Sequence, residues 1–547
     1  AVDFPGLHNK LRTEYGPASV RPHEVASVLQ DIQRDLEDYE AEIYHLERLR
    51  QEKQRLEQYA AQMRSLFSPI RKVPDEIICH IFDDCCDMNS FRVVGLTRRL
   101  PTPMSQALRS KPAMVISSVC SRWRRNALSM PVIWSRISLL WNMHLTEEYC
   151  EREHTEVFFP LSNFLDLSQQ CPMTVNLEVE GWPFATPAVL HPVFERLFLQ
   201  AVRWQNFSFR CVEYTIQELL DFAGISPAAF PVLSELCVTY VDENDLIPFL
   251  DTAPKLQSLS LGDNLDCMPQ GFKYYLQLSH LDFCPDQAEI QNLFDKCPNL
   301  VSLRVPESWH LPNAVGSMTI TCSSRLETLI IRHGHWWNDV SDAIFPLLRL
   351  PSLKTLRLEK SQRRVHNEGI DGKPWNNFEP FKVFVHRSTF QLTTFSMQQL
   401  TISDANLVYI LFHLPTLQDL TIDDSGISPK CSPISSEFIE SLHGYRTSSL
   451  RPSKAVNLPR LRSLRLLNVA ATTFSDHLVV DMVQSRWIPA KIHDVGTSTL
   501  EADCLRVFTM TFPNRSESEA GGVYSSLAPI ERDGMMVVIG LGRGSKQ

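Results

Sequence analysis

The hydrophobic positions of this chain repeat one short phrase: apolar, two residues, apolar, one residue, apolar. Clear copies are Leu233/Leu236/Val238, Leu256/Leu259/Leu261, Leu278/Leu281/Phe283, Leu300/Leu303/Val305, Leu326/Leu329/Ile331 and Leu353/Leu356/Leu358. Later copies follow at Leu392/Phe395/Met397, Leu417/Leu420/Ile422, Leu461/Leu464/Leu466 and Leu505/Phe508/Met510. Weaker ones precede them at Trp134/Ile137/Leu139, Thr174/Leu177/Val179 and Trp204/Phe207/Phe209. The last two apolar positions lie two apart, so they share one face of a short strand. The segments between copies read as helices, over Asp242–Ala253, Asp286–Cys297, Asp339–Leu348, Asp404–Leu414 and Ser475–Arg486. Several open on Asp or Ser, which suit the N-cap, and end at a proline, which has no N–H to continue the helix. Strand, helix, strand in one direction predicts a parallel sheet backed by helices and curved into a horseshoe. The array is expected over 134–512, most regular over 231–360. Insertions fall at Glu359–Pro380 and Asp424–Pro459, and Gly534–Ile539 reads as a last strand within 513–547.

A different pattern precedes the array. Residues 1–24 carry Pro5, Gly6, Gly16, Pro17 and Pro22 and read as unstructured. From Val25 to Phe67 there is neither proline nor glycine. Leu29, Ile32, Leu36, Tyr39, Ile43 and Leu46 alternate at spacings of three and four, and Leu49, Leu56 and Met63 continue seven apart after a three-residue stammer. That predicts a long helix of coiled-coil type over 25–67, which either pairs two copies of the chain or folds back on its own.

Between the two lies a third pattern. Pro74 suits the first helical position, and Asp75 and Glu76 suit the positive end of the helix dipole. Ile77, Ile78, Ile81 and Phe82 follow at helical spacing, and after a polar insert Val119, Cys120, Trp123 and Ala127 make a second stripe. Two helices this short must lay their apolar faces on something else.

Pro74-Asp75-Glu76-Ile77-Ile78 through Phe82, then Val119-Cys120-Ser121-Arg122-Trp123 and Pro131-Val132-Ile133-Trp134, resembles an F-box of the kind found in large fungal families. The spacing of the following copies, roughly 20–29 residues, is that of leucine-rich repeats. The chain thus resembles F-box proteins with leucine-rich repeats over most of its length. The resemblance implies an α-helical F-box at 68–133 that docks a Skp-type adaptor and through it a cullin, with the repeats binding a protein substrate for ubiquitination. On that basis Pro74, Ile77, Ile78, Ile81, Phe82, Val119, Cys120 and Trp123 are expected to form the apolar surface shared by the adaptor and the start of the array. Two departures stand out: Val73 where the family usually has Leu, and a long insert over 87–112. The spacing alone implies only a repeat-built binding module, so a scaffold without a ligase role stays open.

Composition narrows the chemistry. A chain of 547 residues with 44% hydrophobic residues is too long for a single compact core. The net charge of −10 and the lack of a long basic run argue against nucleic acid. No apolar run approaches the roughly 20 residues that span a bilayer, and residues 1–25 hold no secretory signal. The 14 cysteines are scattered with no Cys-x-x-Cys pair, which fits reduced thiols in the cytosol or nucleus better than disulfides or zinc. No Gly-x-Ser-x-Gly elbow occurs. His333-Gly334-His335-Trp336-Trp337 reads as a loop between repeats, Asp423-Asp424 as an acidic turn, and Gly540–Lys546 lacks the helix a phosphate loop needs. No catalytic residue, metal or cofactor is expected.

The expected substrate surface is the strand face opposite the buried leucines. In three successive copies it offers Ser302 and Arg304, then Thr328, Ile330 and Arg332, then Thr355, Arg357 and Glu359. Arg304 and Arg357, two strands apart, are expected about 10 Å from each other across Ile330. Such a cluster suits an acidic or phosphorylated peptide, because guanidinium pairs carboxylate and phosphate bidentately. The alternative is that these arginines pair with Glu359 or other local acids.

Overall fold

The computed structural model describes residues 4–12, 21–93, 111–142, 147–180, 191–211, 229–239, 247, 250–261, 275–283, 287–305, 320–333, 344–360, 378–444, 457–469, 474–487, 503–513, 515 and 522–541. The chain divides into two compact units, Ala1–Ile81 and Phe82–Gln547.

The first unit is helical. Its N-terminal stretch, expected to be unstructured, carries a helix over Phe4–Arg12; Pro5 falls in the first turn, where its missing N–H costs nothing. The long helix runs Pro22–Ser65, also opening on a proline, and buries none of its residues. Ion pairs one turn apart support it, among them Arg34–Asp31 at 3.3 Å and Lys53–Glu57 at 3.6 Å. A 3₁₀ turn, Pro69–Lys72, leads into the helix Asp75–Cys85, which begins with two acids at its positive end.

The second unit is built on one 15-stranded sheet. Every strand pair in it is parallel, and the strands follow one another in chain order. The register aligns the phrases, so that Leu259 meets Leu281, which meets Leu303, then Leu329, then Leu356. The copy expected at Thr174/Leu177/Val179 is corrected by two residues, because Val175 and Leu177 are the pair that meets Ile137 and Leu139 on one side and Phe207 and Phe209 on the other. Two continuous apolar rows result, one through these leucines and one two residues later through Leu261, Val305, Ile331 and Leu358, all buried. The intervening residues stay partly exposed, the alternation expected of strands with one face on a core.

The recurrent proline has a second role beyond stopping the preceding segment. In several copies the first apolar residue of the phrase donates its N–H to the carbonyl three residues back, as in Leu256 to Ala253 (3.2 Å), Leu300 to Cys297 (3.1 Å), Leu417 to Leu414 (3.1 Å) and Leu461 to Leu458 (3.2 Å). Pro254, Pro298, Pro415 and Pro459 occupy the second position of these turns, where a φ fixed near −65° is already correct.

The sheet departs from expectation at several places. It begins earlier than Trp134, with Asn89–Val93 inside the region read as a polar insert, and this strand pairs with Arg136–Asn142. Phe91 continues one apolar row, while Asn89 stands at the head of the other and is fully buried. Its Nδ2 donates to the carbonyls of Ile133 (2.8 Å) and Arg136 (3.0 Å), and its Oδ1 accepts from the Ala113 N–H (3.2 Å). Trp134 itself ends the short helix Pro131–Trp134, and its indole N–H donates to Ala127 O at 2.8 Å. The array ends, as expected, on a strand, Met536–Leu541, paired with Val507–Phe512.

Of the expected helices, Gln287–Lys296, Asp404–Phe412 and Asp476–Ser485 are present, the second capped by Ser403 on the Asn406 N–H. Asp242–Ala253 falls largely outside the described residues. So does Asp339–Leu348, whose described end is a 3₁₀ turn, Phe345–Leu347, running into a two-residue strand, Leu348–Arg349, paired with Thr321–Cys322. Of the expected insertions, Glu359–Pro380 lies mostly outside the described residues and runs at its end into the helix Phe378–Ser388, and Asp424–Pro459 holds the helix Ser436–Ser441.

Arginines tie one repeat to the one before it. Arg203 donates to Ser168 O and Cys171 O, Arg387 to Phe345 O and Leu348 O, and the buried Arg486 to Leu442 O, Asn457 O and Leu458 O. Carbonyls at the ends of helices and turns have acceptor capacity left over, and a five-donor guanidinium can bind two or three at once. Burial lowers the Arg203 and Arg387 pKa values from the usual arginine range.

Candidate protein-binding surfaces

The helix Asp75–Cys85 presents its stripe in two directions. Ile78 and Phe82, one turn apart, are buried, each about 1% exposed. Ile77 and Ile81 point the other way, 50% and 39% exposed, and Pro74 is exposed at the helix start. The eight residues expected to form one adaptor surface therefore separate into inward and outward sets.

In the second unit, Trp123 lies edge-on to Phe82, ring centroids 5.0 Å apart. Cys120 caps the helix Ser121–Leu128, its Sγ accepting the Trp123 N–H at 3.5 Å. Cys-x-x-Trp thus fixes a helix start and docks an aromatic ring one turn along. Val119, 57% exposed, is outward, and so are Met114, Val115, Leu128 and Val132, which the sequence reading did not single out. For Met114 and Val115 the signal was a short apolar run with no polar face, Ala113–Ile116, adjoining the motif. Arg136 holds the end of the Asp75–Cys85 helix, donating to Asp83 O (3.1 Å) and Cys86 O (3.0 Å) and pairing with Asp83 Oδ1 at 2.7 Å. Behind this, Phe164 packs edge-on against both Phe91 (5.2 Å) and Trp134 (4.9 Å).

On the sheet, Ser260, Asp282, Arg304, Ile330, Arg357 and Ser396 stand side by side in register, one per strand. Arg304 pairs with Asp282 at 3.5 Å, and Arg332 with its register neighbour Glu359 at 3.8 Å. Burial pushes the Asp282 carboxyl up, while Arg304, Arg332 and a hydrogen bond from Ser260 pull it back. So two of the three arginines do pair locally. Arg357 is exposed and makes no ion pair among the described residues, and the buried Nε of Arg304 has no hydrogen-bond partner among them. Ile330, expected as an exposed contact, is only 7% exposed, flanked in register by Arg304 and Arg357. The row is a charged ladder over a buried isoleucine.

Two further polar clusters lie near the C-terminal strands. Asp423 Oδ1 accepts from Ser425 N (2.9 Å), Ser425 Oγ (2.6 Å) and Asn468 Nδ2 (3.0 Å), an acidic turn of the expected kind. Asp424 is buried; Ser432 donates to its Oδ2, and its Oδ1 has no partner among the described residues. Burial pushes its pKa up to about 6, with the Ser432 hydrogen bond opposing and Asp423 assisting. Asp476 receives both terminal nitrogens of Arg515 and the Tyr524 hydroxyl. Burial raises its pKa, but Arg515, Tyr524 and His477 outweigh it and hold the carboxyl below its ordinary value. Among the described residues no three metal-ligating side chains converge, and no helix is long and apolar enough to cross a membrane. Of the His333–Trp337 segment, all but His333 lies outside the described residues. No protein-family model and no curated protein matches this chain.

Proposed function

We propose that this chain is a substrate receptor of a cullin-type ubiquitin ligase, an F-box followed without a linker by leucine-rich repeats. The observation that carries the reading is the Pro-acid-acid-apolar, Cys-x-x-Trp, Pro-x-x-Trp series at Pro74–Trp134, whose apolar residues Ile77, Ile81 and Val119 are left exposed. The exposed members of the motif, Pro74, Ile77, Ile81, Val119 and Cys120, are the adaptor contacts. Phe82 and Trp123, packed ring against ring, and the buried Ile78 serve the fold rather than the adaptor. The sheet's polar face, with Arg304 and Arg357 flanking Ile330 and Arg332 in the next row beside Glu359, takes the protein substrate. The chain does no covalent chemistry; it raises the local concentration of substrate beside the transfer machinery.

The structure directs the choice of variant. Ile78→Asp or Phe82→Asp would bury a charge and unfold the region. Ile77→Asp with Val119→Asp changes exposed positions, where stability shifts stay within about 0.5 kcal/mol. The pair is expected to cut co-purification of a Skp-type adaptor more than tenfold while the melting temperature holds. Undiminished adaptor would remove the ligase reading and leave a repeat-built binding module.

A further inference from the structure

The long helix Pro22–Ser65 exposes its whole apolar seam, about 66 Å of it. Leu29, Leu36, Tyr39, Ile43 and Leu56 are all more than half exposed. The seam has a property beyond its heptads. From Leu46 toward the N-terminus its residues fall at intervals of three, four, three, four and three, at Ile43, Tyr39, Leu36, Ile32 and Leu29. From Leu46 toward the C-terminus the same intervals give Leu49, Lys53, Leu56, Ala60 and Met63. The stammer at Leu46–Leu49 is the centre of a mirror-symmetric spacing.

Mirror symmetry matters to one arrangement only. Two identical helices lying parallel keep register whatever their spacing. Two lying antiparallel about a two-fold axis at Leu46 bring seam onto seam only if the intervals read the same in both directions. Here they do: Ile43 would meet Leu49 of the second copy, Leu36 would meet Leu56, Ile32 would meet Ala60, and Leu29 would meet Met63.

Charge selects the same arrangement. Between Glu24 and Glu42 seven acidic residues stand against one arginine, Arg34. Between Glu47 and Arg64 three acids stand against five basic residues. Parallel pairing would lay the acidic half on the acidic half; antiparallel pairing lays it on the basic half. Lys53 decides most sharply. It is the one charged residue in the seam, and a parallel pair would bury it against its own copy. In the antiparallel pair it meets Tyr39, whose ring face accepts a cation and whose width covers the lysine stem.

We infer that the helix Pro22–Ser65 pairs with the same helix of a second copy of this chain, antiparallel, with its two-fold axis at Leu46. The axis sets the two Ser65 positions about 57 Å apart at opposite ends of the rod. The inference stands apart from the receptor reading, since neither the seam nor its charges belong to the adaptor or substrate surfaces.

The test uses the full chain. Light scattering coupled to size exclusion should give twice the 62.6 kDa of one chain, and Leu36→Asp with Leu56→Asp should halve it. A photo-crosslinking residue placed at Ala60 should then join to the peptide of the second copy that contains Ile32. A monomer at tens of micromolar, or a dimer indifferent to the seam variant, overturns the pairing. A crosslink from position 60 to position 60 overturns the antiparallel order, and one to residues beyond the helix shows fold-back instead.

Discussion

Single residues here carry energies out of proportion to their visibility in the sequence. Asp424 is buried with one oxygen unpartnered and a pKa of about 6, above the roughly 4 of an unfolded aspartate. The native state then holds a proton that the unfolded state releases between about pH 4 and 6, so stability falls as pH rises through that window and is level above it. The span is worth about 2–3 kcal/mol at 1.36 kcal/mol per pKa unit. Asp424→Asn is expected to remove the slope and to be more stable than the natural protein at pH 7.5 but not at pH 4; urea melts at both pH values decide. Asp476 works in the opposite sense. Its lowered pKa contributes stability that is complete above about pH 4 and lost as the pH falls through its folded value. Arg486 is a third case: replaced by Met, of similar length but without donors, it loses the guanidinium hydrogen bonds to the carbonyls of Leu442, Asn457 and Leu458, of which the last keeps the Leu461 N–H. A loss of about 3 kcal/mol in denaturant titration is expected, against a fraction of that at an exposed arginine such as Arg124.

At the scale of the element, the strand phrase and the turn before it are one device. Proline at the second turn position aims the chain into the strand, and the next apolar residue closes the turn with its N–H. The phrase was legible because burial demands it at every copy. Asn89–Val93 was not legible, because its first inward position is an asparagine where the other strands have apolar residues. Yet Asn89 satisfies two carbonyls and one N–H that a leucine would strand. Asn89→Leu is therefore expected to destabilise by about 2–4 kcal/mol although it restores the apolar pattern, since the unpaired groups cost more than the added methyl groups return. A variant as stable as the natural protein, by thermal and urea melts, would show that the strand needs no polar anchor.

At the scale of the whole molecule, a sheet whose strands follow chain order makes each strand depend on its two neighbours. Hydrogen exchange should be slowest in the middle strands, Ser302–Val305 to Thr355–Lys360, and fastest in Asn89–Val93 and Met536–Leu541, each of which has a neighbour on one side only among the described residues. Leu303→Ala should lose about 2–5 kcal/mol and speed exchange first in the strands beside it; an equal effect on all strands would mean one cooperative unit with no local character. The sequence by itself determined most of the strand positions, their parallel order, the long N-terminal helix and the last strand, because each follows from a local period that burial imposes; it did not show the strand Asn89–Val93 or the register of Met173–Glu180. It also placed Arg304, Ile330 and Arg357 in one row, because register follows from the phrase. Only the tertiary structure decided that Ile330 is covered, that Arg304 and Arg332 already have acids, and that Ile78 and Phe82 face inward while Ile77 and Ile81 do not. Those outcomes depend on neighbours from other repeats. A helix carrying apolar residues on two faces does not say which face its own fold will use, and the side chain of an arginine does not say which carbonyls, a repeat away in the chain, it will bind.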